Sequence, residues 1–244
     1  MDTQYDHMPD MLSLSAVLPY REYLEPASFF KALGDITGKS VLDLACGDGL
    51  YTRQLKLRGA TRVAGVDVSR ELIERAREIE TARKEGIEYL VCDVAELEVL
   101  GSFDVATAVH LLHYAQSRQH LSRICARIFA NLRPGGRFVS VVTDPYSFDT
   151  QKPNLTKYGI TMHVPAGVKE SDEVRLDIHT KPLFTIRFPY WTRPTHEQAL
   201  AAAGFRNITW IAMECPSEGE AKLGSEFWLD FLGNPHACIL TCDK

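Results

Sequence analysis

The chain has 244 residues and a formal net charge of −5 at pH 7, with 45% hydrophobic and 24% charged residues. That length suits one elaborated α/β domain, and the balance excludes a disordered or collagen-like chain. No apolar run approaches the ~18 residues that span a bilayer, the acidic start MDTQYDHMPD lacks the basic flank of a signal peptide, and the acidic balance argues against a broad nucleic-acid surface.

A cytoplasmic protein without nucleic-acid or membrane partners is therefore expected. The six cysteines form no CxxC pair and no zinc spacing, which predicts reduced, mostly buried thiols and no metal site. Residues 12–33 read as helical pieces broken at Pro19 and Pro26. SVLDLACGDG is a buried-looking strand running into a small-residue turn, QLKLRGA is helical, and RVAGVDVS is a second strand. Ser69 is a natural N-cap for the helix ELIERAREIETARKEG. IEYLVCDV and FDVATAVH are strands, HLSRICARIFANL is a helix stopped by Pro134-Gly135-Gly136, and RFVSVVTD resumes a strand. Such alternation predicts a mostly parallel sheet with right-handed crossovers. A long loop follows over 145–165. VRLDIHTKPLFTIRFPYWT then alternates as a strand pair, with Pro182 at an edge or turn. THEQALAAAGF is a helix capped by Thr195, and NITWIAME and HACILTCD are two final strands.

The strongest local signal is VLDLACGDG, residues 41–49. Gly47 and Gly49 remove side chains where backbone must approach a ligand, Ala45 stands where glycine is more usual, and Asp43 sets a carboxylate beside the turn. Open α/β sheets bind ligands at this end of the first strand; taken alone, the motif reads equally as a tight turn. Asp67, ending the second strand, suits bidentate bonding to vicinal ribose hydroxyls. Alone it reads first as a solvated strand-end carboxylate. Asp93 ends the third strand, where it accepts from an exocyclic amine while the Val94 N–H donates to a ring nitrogen. Three acids at three successive strand ends describe a groove for an adenosine. A nicotinamide dinucleotide would use GxGxxG with a helix N-terminus on its pyrophosphate. Here Thr52 holds the last small-residue position, and Asp43 would repel a pyrophosphate. That carboxylate suits an amino-acid ammonium, which favours S-adenosylmethionine over NAD. An NAD-dependent oxidoreductase and a non-catalytic cofactor-binding protein stand as alternatives.

Taken in order, VLDLACGDG, VAGVDVS, the CDV triplet, FDVATAVHLLHY and NLRPGGRFVSVV resemble the class I S-adenosylmethionine-dependent methyltransferases over residues 40–143. The run from Tyr20 to Ser69 looks like the toxoflavin synthase type of small-molecule methyltransferase. The resemblance implies a Rossmann-like α/β fold with helices on both faces of a seven-stranded, mostly parallel sheet in the order 3-2-1-4-5-7-6. The seventh strand would be antiparallel. It implies a single domain over 1–244: a helical lid at 1–34, a cofactor-binding core at 35–143, a substrate-covering insertion at 144–194, and a C-terminal helix with the last two strands at 195–244. Carried over by motif, Asp43, Ala45 and Gly47 line the methionine part and Asp67 holds the ribose. Val68 packs on adenine, Asp93 and Val94 read its edge, and Val109 lies on the sulfonium side. Tyr20 and Arg21 belong to the lid, Arg21 as partner of the methionine carboxylate and Tyr20 or Tyr5 as cover for the sulfonium.

Methyl transfer is an in-line displacement that needs mostly positioning, although an oxygen or weakly acidic nitrogen nucleophile gains from a general base. His113 is the leading candidate, with His110 second; Asp144, ending the fifth strand, faces the same crevice and is a further catalytic or polar substrate contact. The two histidines read first as hydrogen-bonded residues at a helix start, and Asp144 reads equally as a loop cap. Tyr146, Phe148, Tyr158, Phe184 and Phe188, with Tyr190, Trp191 and Trp228, divide between an apolar core and a pocket for a flat heteroaromatic substrate. Tyr158, Tyr190 and Trp191, together with His110, are the expected substrate contacts. The expected reaction is methylation at nitrogen or oxygen of a small ring system in natural-product biosynthesis, in the sharpest form an azapteridine of the toxoflavin type. The oligomeric state is left open.

Overall fold

Alternation along the strands builds two apolar faces. Val41, Val63, Val105 and Val141 pack on one side of the central sheet, and Leu42, Ala64, Ala106 and Phe138 on the other. The computed structural model describes residues 14–143 and 155–244. Strands β1 (Ser40–Leu44), β2 (Arg62–Asp67), β3 (Ile87–Val91), β4 (Phe103–Val109) and β5 (Leu132–Thr143) are parallel. Strand β10 (Ala237–Asp243) runs antiparallel between β5 and β9 (Arg206–Ile211), giving the order β3-β2-β1-β4-β5-β10-β9. With β10 as the seventh and β9 as the sixth strand of this sheet, the topology is the one the motifs imply.

Helices α1 (Glu25–Leu33), α2 (Leu50–Leu57) and α3 (Arg70–Arg83) cover the first face through Phe29, Leu55 and Ile73. Helices α4 (Arg118–Asn131) and α5 (Arg193–Ala203) cover the second through Leu121, Ile124 and Leu200. Each such side chain contributes about 1.5–3 kcal/mol by leaving water. Ser69 caps α3 as expected, accepting from Leu72 N at 3.3 Å. Two expectations are corrected. Pro26 does not break its helix: a π-helical turn at Tyr20–Leu24 runs directly into α1, and Pro26 falls in the first turn, where its missing N–H is not needed. Helix α5 is capped by Thr192, not Thr195, because Pro194 occupies its first turn and Thr192 accepts from Thr195 N.

The second unit of structure is a three-stranded antiparallel sheet, β6 (Ile160–His163), β7 (Glu173–Ile178) and β8 (Phe184–Pro189). The predicted pair is β7 and β8, with Pro182 in the turn between them; β6 lies where a loop is predicted. Helices α6 (Ser217–Leu223) and α7 (Ser225–Gly233), between β9 and β10, were also not legible. Among the described residues no helix is long and apolar enough to cross a membrane.

Tyr158 and Trp191 belong to this packing and not to a ligand wall, which corrects their expected substrate role. Tyr158 is fully buried, stacks on Trp228 at 5.8 Å, donates to the Phe227 carbonyl and accepts from Phe231 N at 3.1 Å. Trp191 is buried and donates from Nε1 to the Ala115 carbonyl at 2.8 Å. Polar neighbours in sequence marked these rings as exposed, whereas their polar atoms are satisfied by backbone inside the core. Tyr158→Phe strips a partner from two α7 backbone groups and should lower stability by about 1–3 kcal/mol, read from urea unfolding. Unchanged stability would contradict the structural role.

Candidate active site

Parallel strands end on one edge, and a cavity of about 740 Å³ opens there. Among the expected residues it gathers Asp43, Ala45, Gly47, Asp67 and Val68 from the first two strand ends. Asp93, Val94, Val109, His110 and His113 come from the next two, and Tyr20 and Arg21 from the N-terminal segment. Tyr190 packs against the apolar core and does not line the cavity, so it too is corrected as a substrate contact. Asp144 and Tyr5, with Tyr146 and Phe148, lie outside the described residues.

The turn after β1 is held in a demanding conformation. Ala45 has φ 54° and Gly49 φ 83°, and a side chain at Gly49 would run into the Tyr89 hydroxyl and Arg53. Alanine in the left-handed region costs about 1–2 kcal/mol, strain that glycine would not carry. Asp67 fixes the turn to β2, accepting from Gly47 N and Ser69 N, each at 2.8 Å. Asp93 caps the short turn Val94–Glu96 by accepting from Ala95 N at 2.8 Å, and it is exposed at the cavity rim.

Asp43 is 1% exposed and accepts from Thr52 Oγ1 at 2.6 Å and Thr107 Oγ1 at 2.9 Å. Burial pushes its carboxyl up to about 6; the Asp67 charge adds to this and the two hydroxyls oppose it. His113 is also buried, its Nδ1 has no hydrogen-bond partner among the described residues, and burial with the nearby imidazoles of His110, His196 and His236 holds it well below the usual histidine range. It is a neutral ring at neutral pH.

Several cavity residues were not singled out in the sequence, and they join Phe188, one of the aromatics divided there between core and pocket. Leu176, Ile178, Ile186 and Phe188 of the smaller sheet form an apolar wall, which follows from period-two alternation once that sheet is known to cover the crevice. His120 and His236 join from α4 and from the approach to β10. Glu25 stands behind the wall, fully buried, and bonds His110 Nε2 at 2.7 Å and the Tyr51 hydroxyl at 2.9 Å, with Arg21 Nε at 3.4 Å. Burial raises its pKa, but Arg21, His110 and Tyr51 outweigh that and bring it down to about 2.

The residues present fit an adenosyl amino acid. A buried carboxylate with only neutral hydroxyl partners suits an ammonium, and the Asp67 carboxylate beside an open glycine turn suits a diol.

Residues 41–136 match the family described as a methyltransferase domain. The chain is 33% identical over 139 residues to a demethylmenaquinone methyltransferase of Lactococcus lactis, a stretch covering 55% of this chain and 54% of that protein. It therefore spans about half the length of that curated relative. Among solved structures, an S-adenosylmethionine-dependent methyltransferase from Mesorhizobium loti aligns with TM-score 0.64 at 20% identity, covering 94% of this chain and all of that one (100%). The 1,6-didemethyltoxoflavin-N1-methyltransferase of Burkholderia thailandensis, with 1,6-didemethyltoxoflavin and S-adenosylhomocysteine bound, aligns with TM-score 0.58 at 21% identity over 99% of this chain and 86% of that one. Residues 41–136 therefore carry the match to a methyltransferase domain, and the solved neighbours share the seven-stranded, mostly parallel sheet fold.

The folded pKa of Asp43, about 6, lies above the 3.8 of a free aspartate. The folded state therefore holds more protons between these values, and stability falls as pH rises through that window. Asp43→Asn removes the cost and should stabilise the unligated protein at pH 7 by an amount of order 2 kcal/mol, measured by urea unfolding at pH 4 and 7. Destabilisation at pH 7 would contradict this reading.

Proposed function

We propose that this protein transfers a methyl group from S-adenosylmethionine to nitrogen or oxygen of a small, flat, ring-containing metabolite. The observation that carries the reading is one cavity in which three strand-end carboxylates meet an apolar wall and four imidazoles. When bound, S-adenosylmethionine supplies a methyl group already activated by a positively charged sulfur. Asp43 holds an amino-acid ammonium, Asp67 a ribose, and Asp93 with the Val94 N–H an adenine edge. Val68, 42% exposed, offers an apolar surface for the base. Tyr20 and Arg21 close the cavity from the N-terminal segment, and the Leu176, Ile186 and Phe188 wall excludes water from the acceptor ring. Positioning and exclusion of water are the main catalytic contributions of such a site.

A toxoflavin-like azapteridine is the sharpest candidate acceptor, supported by a solved neighbour that binds such a ring. A quinone-type ring is supported by the curated relative. The reading includes a cytoplasmic location, with support from the absence of a CxxC pair among the six cysteines of the sequence.

Calorimetry tests the reading. S-adenosylhomocysteine should bind and NAD should not, and Asp67→Ala should weaken binding about tenfold or more. Binding should also weaken below about pH 6, where Asp43 takes up a proton. Tight NAD binding without S-adenosylhomocysteine binding would overturn it.

A further inference from the structure

Glu25 joins three elements at a point no ligand motif marks. Its carboxylate meets Arg21 of its own segment, the Tyr51 hydroxyl of α2 and the His110 ring at the tip of β4. It is fully buried, and His110 stands between it and the cavity. We infer that Glu25 and His110 form a carboxylate–imidazole dyad, in which His110 Nδ1 takes the proton of the methyl acceptor and Glu25 is its positioning residue; this rests on the methyl-transfer reading above.

An ionised carboxylate only accepts, so the 2.7 Å contact to His110 Nε2 requires the hydrogen on that nitrogen. In the neutral ring the lone pair is then on Nδ1. Among the described residues no group bonds Nδ1, and the side chain keeps 22% exposure on the cavity wall. A base oriented from behind by a third group is the usual architecture of an activated proton acceptor.

Backbone geometry gives independent support. His110 has φ 64°, a left-handed conformation uncommon for residues other than glycine and tolerated by histidine better than by most. It is fixed at both ends, by the backbone N–H donating to the Val141 carbonyl at 2.9 Å and by the ring bonding Glu25. Such strain persists where the surroundings over-determine it, and it gathers at functional sites.

The same geometry decides between the two histidines. Their rings are 5.6 Å apart, but His113 is buried and, among the described residues, no carboxylate bonds its ring, whereas Glu25 bonds His110 directly. At His110 the Glu25 carboxylate offsets an imidazolium as it forms. The other titratable groups around His110 are Arg21 and Tyr20 from the N-terminal segment, Tyr51 from α2, His236 before β10, and His113 with Tyr114 on its own turn. In the step itself, the acceptor's lone pair forms the bond to the methyl carbon and the sulfur keeps the pair of the broken C–S bond. The acceptor's N–H or O–H proton moves to Nδ1 and later leaves to solvent, so the sulfonium charge ends as a released proton.

The test uses the full chain, labelled with nitrogen-15 histidine and saturated with S-adenosylhomocysteine. His110 is assigned from His110→Asn, since asparagine tolerates the left-handed backbone. The expected NMR result is an Nε2–H tautomer at His110 in the wild type and a mixed tautomer in Glu25→Gln. With catechol and lumazine as acceptor probes, Glu25→Gln should lower kcat about a hundredfold and move the acid limb of the pH–rate profile, with little change in KM for S-adenosylmethionine. An Nδ1–H tautomer in the wild type overturns the dyad, and this readout needs neither turnover nor a folded Glu25 variant. Glu25→Gln with wild-type tautomer and pH limb overturns it as well. Failure of the wild type to bind S-adenosylhomocysteine on the same sample overturns the methyl-transfer reading instead.

Discussion

A carboxylate buried at the end of β1 is the constraint around which the site is arranged. Asp43 is enclosed on both sides by strands that the core requires to be apolar, and its partners are the neutral hydroxyls of Thr52 and Thr107. Desolvation of a charge is expensive unless it is compensated. The two threonines come from α2 and β4, so the carboxyl direction is set by the same turn and strand pairing that shape the crevice. The left-handed Ala45 and the Asp67 bond to Gly47 N keep that turn open. Under the proposed reading a cationic ligand group at Asp43 would supply the missing compensation, which favours an amino-acid-bearing nucleoside over a dinucleotide.

Glu25 is the opposite solution to the same problem. It is equally buried, but Arg21, His110 and Tyr51 surround it, and it is held ionised where Asp43 is poised near neutrality. Two carboxylates whose environments push their pKa values apart are suited to different tasks. One is free to answer a ligand's charge. The other is committed to the protein and transmits its charge through His110. The N-terminal segment is thereby more than a cover, since its position and the orientation of a cavity imidazole are set by one carboxylate.

The central sheet was legible because its strands are short apolar runs ended by small or acidic residues, a signal carried by neighbours in sequence. The strand-end acids were legible for the same reason. What escaped depends on contacts distant in the chain: Glu25 and His110 are 85 positions apart, and a glutamate in a helix looks solvated until the fold buries it. The smaller sheet shows both sides. Period-two alternation revealed β7 and β8, and with them the inward Phe188, while β6 is four residues long and sits in a polar stretch. Tyr158 and Trp191 misled because sequence polarity reports on neighbours, not on which backbone carbonyl a ring atom will reach. Helices α6 and α7 are short, separated by Gly224, and too brief for their periodicity to stand out.

A crystal structure of the complex with S-adenosylhomocysteine tests the central claim most directly. The account places the amino group on Asp43, the ribose hydroxyls on Asp67 and the adenine edge at Asp93 and Val94, with the sulfur facing His110 and the apolar wall of the smaller sheet. A ligand bound elsewhere, or one whose amino group lies away from Asp43 with that carboxylate still enclosed by its two threonines, would contradict it.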